Sequence, residues 1–138
     1  MDMNEKMKQA VQAYFDNFNA QDAEAIANLY ADDATVEDPV GTPHKNGKDE
    51  ILAFYKTAVK NGATLSQQGQ TRIAGNVAAF AFGVTVGGAG MTDVDKAVDV
   101  DLPPGSMTIH VIDTFTFNED GKVTEMRAFW GPTNIEKH

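Results

Sequence analysis

The first part of the chain carries the apolar spacing of amphipathic helices. From Glu5 to Asn19, apolar side chains recur every three or four residues, at Met7, Val11, Tyr14, Phe15 and Phe18. This period predicts one helix with a single buried stripe. Asp22 is a favourable N-cap and predicts a second helix that runs to about Tyr30. Residues 48–61 predict a third helix, which ends at Gly62.

Beyond Gly62 the apolar period changes from that of a helix to that of a strand. Four strands are predicted, at about 64–73, 77–86, 107–117 and 122–130. A shorter strand at 35–38 precedes Pro39, which biases Asp38 toward an extended backbone. Helices followed by antiparallel strands predict an α+β fold, with the helices on one face of a strongly curved sheet.

One predicted strand carries a carboxyl group in an otherwise apolar row. Alternation puts Asp113 on the same face as Ile109, Val111, Phe115 and Phe117. An ionised carboxylate there costs several kcal/mol unless it is paired, so we expect a raised pKa and a neutral acid that donates a hydrogen bond. Alternation supports equally well an acid that faces Arg127, or one that a bulge turns outward.

Other candidate residues have weaker local signals. Asp38 has the pattern of an ordinary turn aspartate. Tyr14, Tyr30 and Tyr55 lie on the apolar stripes of predicted helices, where core tyrosines bonded to the backbone are the commoner explanation. A pocket for a rigid apolar ligand is predicted from residues that are individually typical of a core: Phe80, Phe82, Val84, Phe115, Met126 and Trp130.

Composition narrows the class of partner. The 138 residues fit one domain, 1–138, and the formal charge of −9 argues against nucleic acid and anionic membranes and favours a neutral substrate. Cysteine is absent, which excludes disulfides and thiolate chemistry. No stretch is apolar enough for a signal peptide or a membrane span, so we expect a cytoplasmic protein.

The segment at 87–105 lacks periodicity and is rich in aspartate, which predicts a long solvated loop. Its Asp-x-Asp spacing lacks the full pattern of a calcium-binding loop. We find no metal-ligand spacing and no glycine-rich phosphate loop elsewhere. His44 and His138 are expected to be exposed, and His110 to lie on the strand face opposite Asp113.

These residues together resemble ketosteroid isomerase, also called steroid Δ-isomerase, of the nuclear-transport-factor-2-like superfamily. The segment YADDATVEDPVG at 30–41 looks like the family's strongest signature, which carries its general base. The segment VIDTF at 111–115 looks like the strand that carries the family's protonated aspartic acid. Tyr14 falls in the first helix, as the family's oxyanion-hole tyrosine does.

The resemblance implies a role for each polar candidate. Asp38 is implied as the general base, and Tyr14 and neutral Asp113 as the oxyanion hole. Tyr30 and Tyr55 stand where some members carry a supporting network of hydrogen-bonded tyrosines.

The resemblance also implies a cone-shaped fold, no cofactor and no metal. The implied substrate is a small apolar ketone, a 3-oxo-Δ5-steroid converted to its conjugated Δ4 isomer. A homodimer is implied through the outer sheet face that carries His110, Ile112, Thr114 and Thr116. Two alternatives stay open: another enzyme of this fold, such as a dehydratase, epoxide hydrolase or cyclase, or a non-catalytic dimeric module that binds apolar ligands.

Overall fold

The computed structural model describes residues 2–87 and 105–138. The acidic residues of the predicted loop, at 88–104, lie outside the described residues. In the part that is described, no helix is both long and apolar enough to cross a membrane.

Three helices occupy the first half of the chain: α1 at Met3–Asn19, α2 at Ala23–Ala27 and α3 at Gly47–Lys60. Their ends follow the sequence signals. The Asp2 carboxylate accepts a hydrogen bond from the Glu5 amide at 2.8 Å, and the Asp22 carboxylate accepts one from the Ala25 amide at 3.0 Å. Gly62, with a φ of 73°, follows the end of α3 as predicted.

The second helix is shorter than predicted. It ends at Ala27, and Tyr30 begins a strand instead of completing the helix. The reason is tertiary pairing: the Leu29 carbonyl accepts a hydrogen bond from the Val123 amide at 2.9 Å, and Tyr30 pairs with Val123. Pairing with a distant strand therefore overrides a local helical pattern.

In the described residues seven strands form one sheet, in chain order β1 Tyr30–Glu37, β2 Lys45–Asn46, β3 Thr64–Ala74, β4 Val77–Gly87, β5 Ser106–Phe117, β6 Val123–Phe129 and β7 Ile135–Lys137. The spatial order is β2-β1-β6-β5-β4-β3, with β7 paired to β5. β1 runs parallel to β6 and the other pairs are antiparallel, so the sheet is mixed. The predicted α+β fold is confirmed. The strands β2 and β7 were not predicted because two or three residues are too few to show alternation.

The strand register places residues of β4, β5 and β6 side by side on one face of the sheet. On β5, Asp113 lies opposite Phe80 of β4 and opposite Ala128 of β6. Met126, on the same face of β6, pairs with Phe115 and is fully buried. The helices cover this face, so the side chains that point toward them form the core.

The opposite face of the sheet exposes large apolar side chains. Ile112 is 50% exposed and Phe129 is 43% exposed, and the two residues are register partners on β5 and β6. This is the face on which the sequence predicts a dimer contact. The homodimer stays a prediction.

Met126 offers a test of the core as described. We expect Met126→Ala to lower the free energy of unfolding by about 2–5 kcal/mol, because the deletion leaves a void in a closed core. Urea denaturation measures the change. Val40→Ala, at a side chain that is 37% exposed, is the matched control and should change the free energy of unfolding by less than about 0.5 kcal/mol. Similar losses in both variants would contradict this placement.

Candidate active site

A cavity of about 310 Å³ lies between the helices and the sheet. Tyr14 from α1, Asp38 after β1 and Asp113 from β5 all line it. Along the chain, Tyr14 and Asp38 are 24 positions apart, and Asp38 and Asp113 are 75 positions apart. The fold brings all three to one cavity. The catalytic residues proposed from the sequence are therefore in a position to act on one ligand.

Asp113 is an almost completely buried carboxyl group. It is 1% exposed, and neither of its oxygens has a hydrogen-bond partner among the described residues. Burial is the main cause that raises the pKa of Asp113 well above its ordinary value, and the nearby Asp38 carboxylate raises it further. Burial thus favours the neutral form of Asp113, which has a proton to donate into the cavity.

The two alternative environments for Asp113 do not occur. No bulge turns it outward, because its pairing with Phe80 and Ala128 keeps the alternation intact. Arg127 is not its partner either: the guanidinium Nε donates to the Glu37 carboxylate at 3.1 Å. Arg127 and the amide of Gly41 together lower the pKa of Glu37, with the amide as the larger cause.

The three tyrosines form a directed chain of hydroxyl groups. The Tyr55 hydroxyl donates to the Tyr14 hydroxyl at 3.3 Å, and the hydroxyls of Tyr30 and Tyr55 are 2.6 Å apart. Each hydroxyl has one proton, so Tyr30 must donate to Tyr55 if Tyr55 donates to Tyr14. The proton of Tyr14 is then left for a ligand in the cavity.

Burial keeps this chain protonated. Tyr14, Tyr30 and Tyr55 are 3%, 0% and 1% exposed. Burial is the main cause that raises the pKa of each phenol well above its ordinary value. The accepted hydrogen bond from Tyr55 opposes this shift at Tyr14. The local sequence favours core tyrosines that bond to the backbone, but in the structure the three hydroxyl groups bond to one another.

Asp38 is in a different environment from Asp113. It is half-buried just beyond the end of β1, and its Oδ1 accepts a hydrogen bond from the Trp130 indole nitrogen at 2.8 Å. Burial raises the pKa of Asp38, while the Trp130 hydrogen bond and the charge of Lys45 lower it. The carboxylate form of Asp38 is thus supported by a donor and a cation, and Asp113 has neither.

The apolar contacts predicted from the sequence divide into two groups. Phe82, Val84 and Trp130 line the cavity as predicted. Phe80, Phe115 and Met126 do not line it: they are 1%, 0% and 0% exposed and pack behind the wall, in the core. The physical reason is depth, because alternation predicts which face a side chain takes but not whether the helices cover it completely.

The cavity wall also contains residues that the sequence analysis did not assign to it. Some of them could have been predicted from alternation and helical spacing, since Ile109 and Val111 share the strand face of Asp113 and Phe18 lies one helical turn after Tyr14. Phe54 and Leu65 also line the wall. The Leu65 backbone forms two hydrogen bonds with the Asn19 side chain, at 2.7 and 2.9 Å, which fix the end of α1 against β3.

None of the three histidines is among the described residues that line the cavity. His110 is on the strand face opposite Asp113, and its Nδ1 is 3.3 Å from the Gln68 amide. His138 is exposed as predicted, and in addition its Nε2 lies 2.9 Å from the Thr108 hydroxyl. The closing strand β7 brings it there by pairing with β5.

The geometry of the site fits proton abstraction next to a carbonyl group. Two groups that can donate a proton, Tyr14 and Asp113, line the same cavity as a carboxyl group that can accept one, Asp38. Donors placed where negative charge develops stabilise an oxyanion, and a base with a pKa above that of free aspartate removes a proton more readily.

Comparison with known proteins gives one family match and several relatives. The SnoaL-like domain profile matches residues 11–126. The chain is 35% identical over 133 residues to a steroid Delta-isomerase from Nocardioides simplex, which covers 96% of each protein. It is also 29% identical over 129 residues to the epoxide hydrolase LasB from Streptomyces lasalocidi, where the match covers 92% of this chain and 42% of LasB.

Among solved structures, the chain is similar to SalBIII, an epoxide hydrolase/cyclase-like enzyme with a role in pyran ring formation in the polyether salinomycin. The TM-score is 0.81 at 27% identity, and the match covers 98% of both chains. These findings confirm the family resemblance and the cone fold inferred from the sequence.

The neutral state of Asp113 has a consequence for stability. Above about pH 4 the unfolded chain loses the proton of Asp113, while the folded protein keeps it because its pKa is raised. Folding therefore takes up a proton, and this residue lowers the free energy of unfolding by roughly 1.4 kcal/mol for each pH unit up to the folded-state pKa.

We expect Asp113→Asn, which cannot titrate, to gain stability relative to the wild type as the pH rises from 5 to 8. Urea denaturation at a fixed protein concentration measures the difference. Asp33→Asn, at an exposed position on β1, is the control and should follow the wild-type curve. A constant difference between Asp113→Asn and the wild type across this range would show that Asp113 is ionised in the folded protein.

Proposed function

The chain belongs to the SnoaL-like domain family, and from that premise we propose that it is a steroid Δ-isomerase that converts 3-oxo-Δ5-steroids to 3-oxo-Δ4-steroids. The observation that carries this proposal is the buried, unpartnered carboxyl group of Asp113, in one cavity with the Tyr14 hydroxyl and the Asp38 carboxylate. The identity to a steroid Delta-isomerase along 96% of the chain supports the same reaction.

In this mechanism Tyr14 and Asp113 hold the ketone oxygen of the substrate. Removal of a proton beside the ketone produces a dienolate, whose oxygen carries the developing negative charge. Each preorganised donor stabilises such an oxyanion by on the order of 3 kcal/mol. The Tyr30–Tyr55–Tyr14 chain supports this role, because a phenol that already accepts a hydrogen bond is a stronger donor.

Asp38 moves the proton. Its carboxylate removes a proton from carbon 4 of the steroid and, as the conjugate acid, returns it to carbon 6, so the double bond moves into conjugation and the base is regenerated. This assignment requires Asp38 to be ionised while Asp113 is neutral. Such a division of two aspartates by their environments is established for ketosteroid isomerases, and the Trp130 donor and Lys45 at Asp38 support it here.

The apolar wall supports a rigid hydrocarbon as the ligand. Phe82, Val84 and Leu65 offer no hydrogen bonds and exclude water from the reacting end. Electrostatic interactions between the donors and the oxyanion are stronger in such a dry site than in water. A flat, fused-ring ketone would pack its carbon skeleton against the apolar wall and place its oxygen beside the two donors.

Epoxide opening is a second candidate, because two relatives are named as epoxide hydrolases or cyclases. In that reaction Asp113 would protonate the epoxide oxygen, and Asp38 would take the proton of the water or substrate hydroxyl that attacks the epoxide carbon as its C–O bond breaks; this also fits the geometry. The isomerase relative is favoured because its sequence identity of 35% is higher than the 29% and 27% of the two epoxide relatives.

Turnover of a 3-oxo-Δ5-steroid tests the proposal directly. The conjugated product absorbs in the ultraviolet, so its formation is followed by absorbance. We expect turnover by the wild type and a roughly 100- to 10,000-fold loss of kcat in Asp38→Asn, because general base catalysis contributes that much. Steroid affinity should persist in the variant. Asp33→Asn, exposed on the same strand, is the control.

Absence of turnover in the wild type, with an epoxide opened instead, would favour the second candidate. Full activity in Asp38→Asn would remove Asp38 from its role. Tight steroid binding without either reaction would favour a binding module.

Trp130 provides a pH test of the base. Its indole N–H stabilises the Asp38 carboxylate, so Trp130→Phe should raise the pKa of Asp38. Activity needs the carboxylate form, so the acid side of the kcat/KM profile should move upward by about one pH unit. Phe82→Leu changes the cavity wall without a hydrogen bond to Asp38 and should leave the profile in place. Equal profiles in all three proteins would show that this hydrogen bond does not control the base.

A further inference from the structure

The cavity has a second polar position apart from the catalytic cluster. Asn61, the C-cap of α3, lines the cavity and also lines an open groove beside it, which Lys45, Glu50 and Thr57 border. Asn61 therefore stands at the rim, where the cavity opens to solvent. Apart from the tyrosines, the two aspartates and Trp130, it is the one polar side chain among the described residues of the wall.

Helix geometry separates Asn61 from the reacting end. Tyr55, Ala58 and Asn61 follow one another at three-residue intervals on the cavity side of α3. Tyr55 reaches the hydroxyl of Tyr14, whereas Asn61 lies six residues further along the helix, a rise of about 9 Å. The rim is thus displaced from the oxyanion hole by a distance comparable to the long axis of a fused four-ring skeleton.

The sheet has the same two-ended arrangement. Along β5 the cavity-facing residues run from Asp113 through Val111 to Ile109, a span of about 13 Å. Ile109 pairs with Val84 of β4, and Val84 pairs with Leu65 of β3, so the wall far from Asp113 is apolar. A polar group on a ligand at that end has no partner among the described cavity-lining residues of the sheet.

Asn61 is suited to contact such a group. Its side chain is exposed and makes no hydrogen bond within the described part of the chain. Its backbone is anchored, because Val59 and Ala63 on either side are each 6% exposed and the Gly62 amide donates to the Val59 carbonyl at 3.2 Å. The backbone of Asn61 is thus held at the rim, and its side-chain amide is available to donate or accept a hydrogen bond.

We propose that Asn61 is a specificity-determining residue that hydrogen-bonds a ketone or hydroxyl group at the end of the substrate opposite the reacting ketone. This inference rests on the proposed function and deepens it. The amide N–H₂ donates to a ketone and the amide oxygen accepts from a hydroxyl, so both groups are recognised. A substrate with only hydrogen at that end lacks the interaction.

Three 3-oxo-Δ5-steroids with the same reacting rings test this role: one with a ketone on the distal ring, one with a hydroxyl there and one with hydrogen. We expect the wild type to favour the ketone and hydroxyl substrates over the hydrogen substrate by about three- to tenfold in kcat/KM, the effect of one neutral hydrogen bond. Asn61→Leu should abolish this preference through KM, with kcat unchanged, because the contact is the same in the ground and transition states.

Asn61→Asp makes the test more specific. A carboxylate accepts from a hydroxyl but cannot donate to a ketone, so this variant should keep the preference for the hydroxyl substrate and lose the preference for the ketone. Asn28→Leu is the matched control, since Asn28 is the exposed C-cap of α2 and does not line the cavity. It should preserve the wild-type preferences.

Binding gives a readout that does not depend on turnover. Trp130 is the one tryptophan in the chain and lines the cavity, so quenching of its fluorescence by the corresponding Δ4-3-ketones measures their affinity. Equal preferences in the wild type and Asn61→Leu, in both assays, would overturn the inference while leaving the isomerase proposal intact. Absence of turnover with all three steroids would overturn the proposed function, and the binding preference would still decide the role of Asn61.

Discussion

The burial of one carboxyl group is the constraint on which the rest of the site depends. Asp113 sits in a strand whose register with both neighbours leaves it no outward path, and its oxygens have no partner in the described structure. Burial, and to a lesser extent the nearby Asp38 carboxylate, raise the pKa of Asp113 and disfavour its charged form. A buried carboxyl group without a partner lowers stability, so its use is to donate its proton to a ligand in the cavity. The Tyr14 hydroxyl, whose proton is not used within the tyrosine chain, can donate to the same ligand.

Asp38 and Asp113 have chemically identical side chains, but their surroundings in the cavity differ. Asp38 has an indole donor and a nearby cation, and it stands at the end of a strand where solvent still reaches it. Asp113 has aromatic and aliphatic neighbours. In the proposed mechanism these surroundings make one aspartate a base and the other an acid without any unusual residue type. Relatives named for epoxide chemistry fit this view, because an acid and a base that face one apolar chamber are not committed to a single reaction.

Local patterns in the sequence were enough to predict the long elements and the face on which Asp113 lies, because alternation and helical spacing are strong over ten or more residues. They could not predict the early end of α2, which depends on pairing between Leu29 and Val123. They also could not separate cavity wall from core, since Phe80 and Phe82 share one face of β4 and differ only in what covers them. The roles of Asp38 and the tyrosines came from family resemblance, because each has an ordinary local context. Asn61 had no signal in the sequence.

The parallel pairing of β1 with β6 joins segments from opposite ends of the chain. Glu37 is the register partner of Arg127, so the aspartate that follows β1 and the indole that follows β6 are brought to hydrogen-bond distance by the same alignment. During synthesis the N-terminal partner emerges from the ribosome long before the C-terminal one. A nascent chain therefore lacks the hydrogen bond from Trp130 to Asp38 until the segment that contains β6 has been made and has paired with β1.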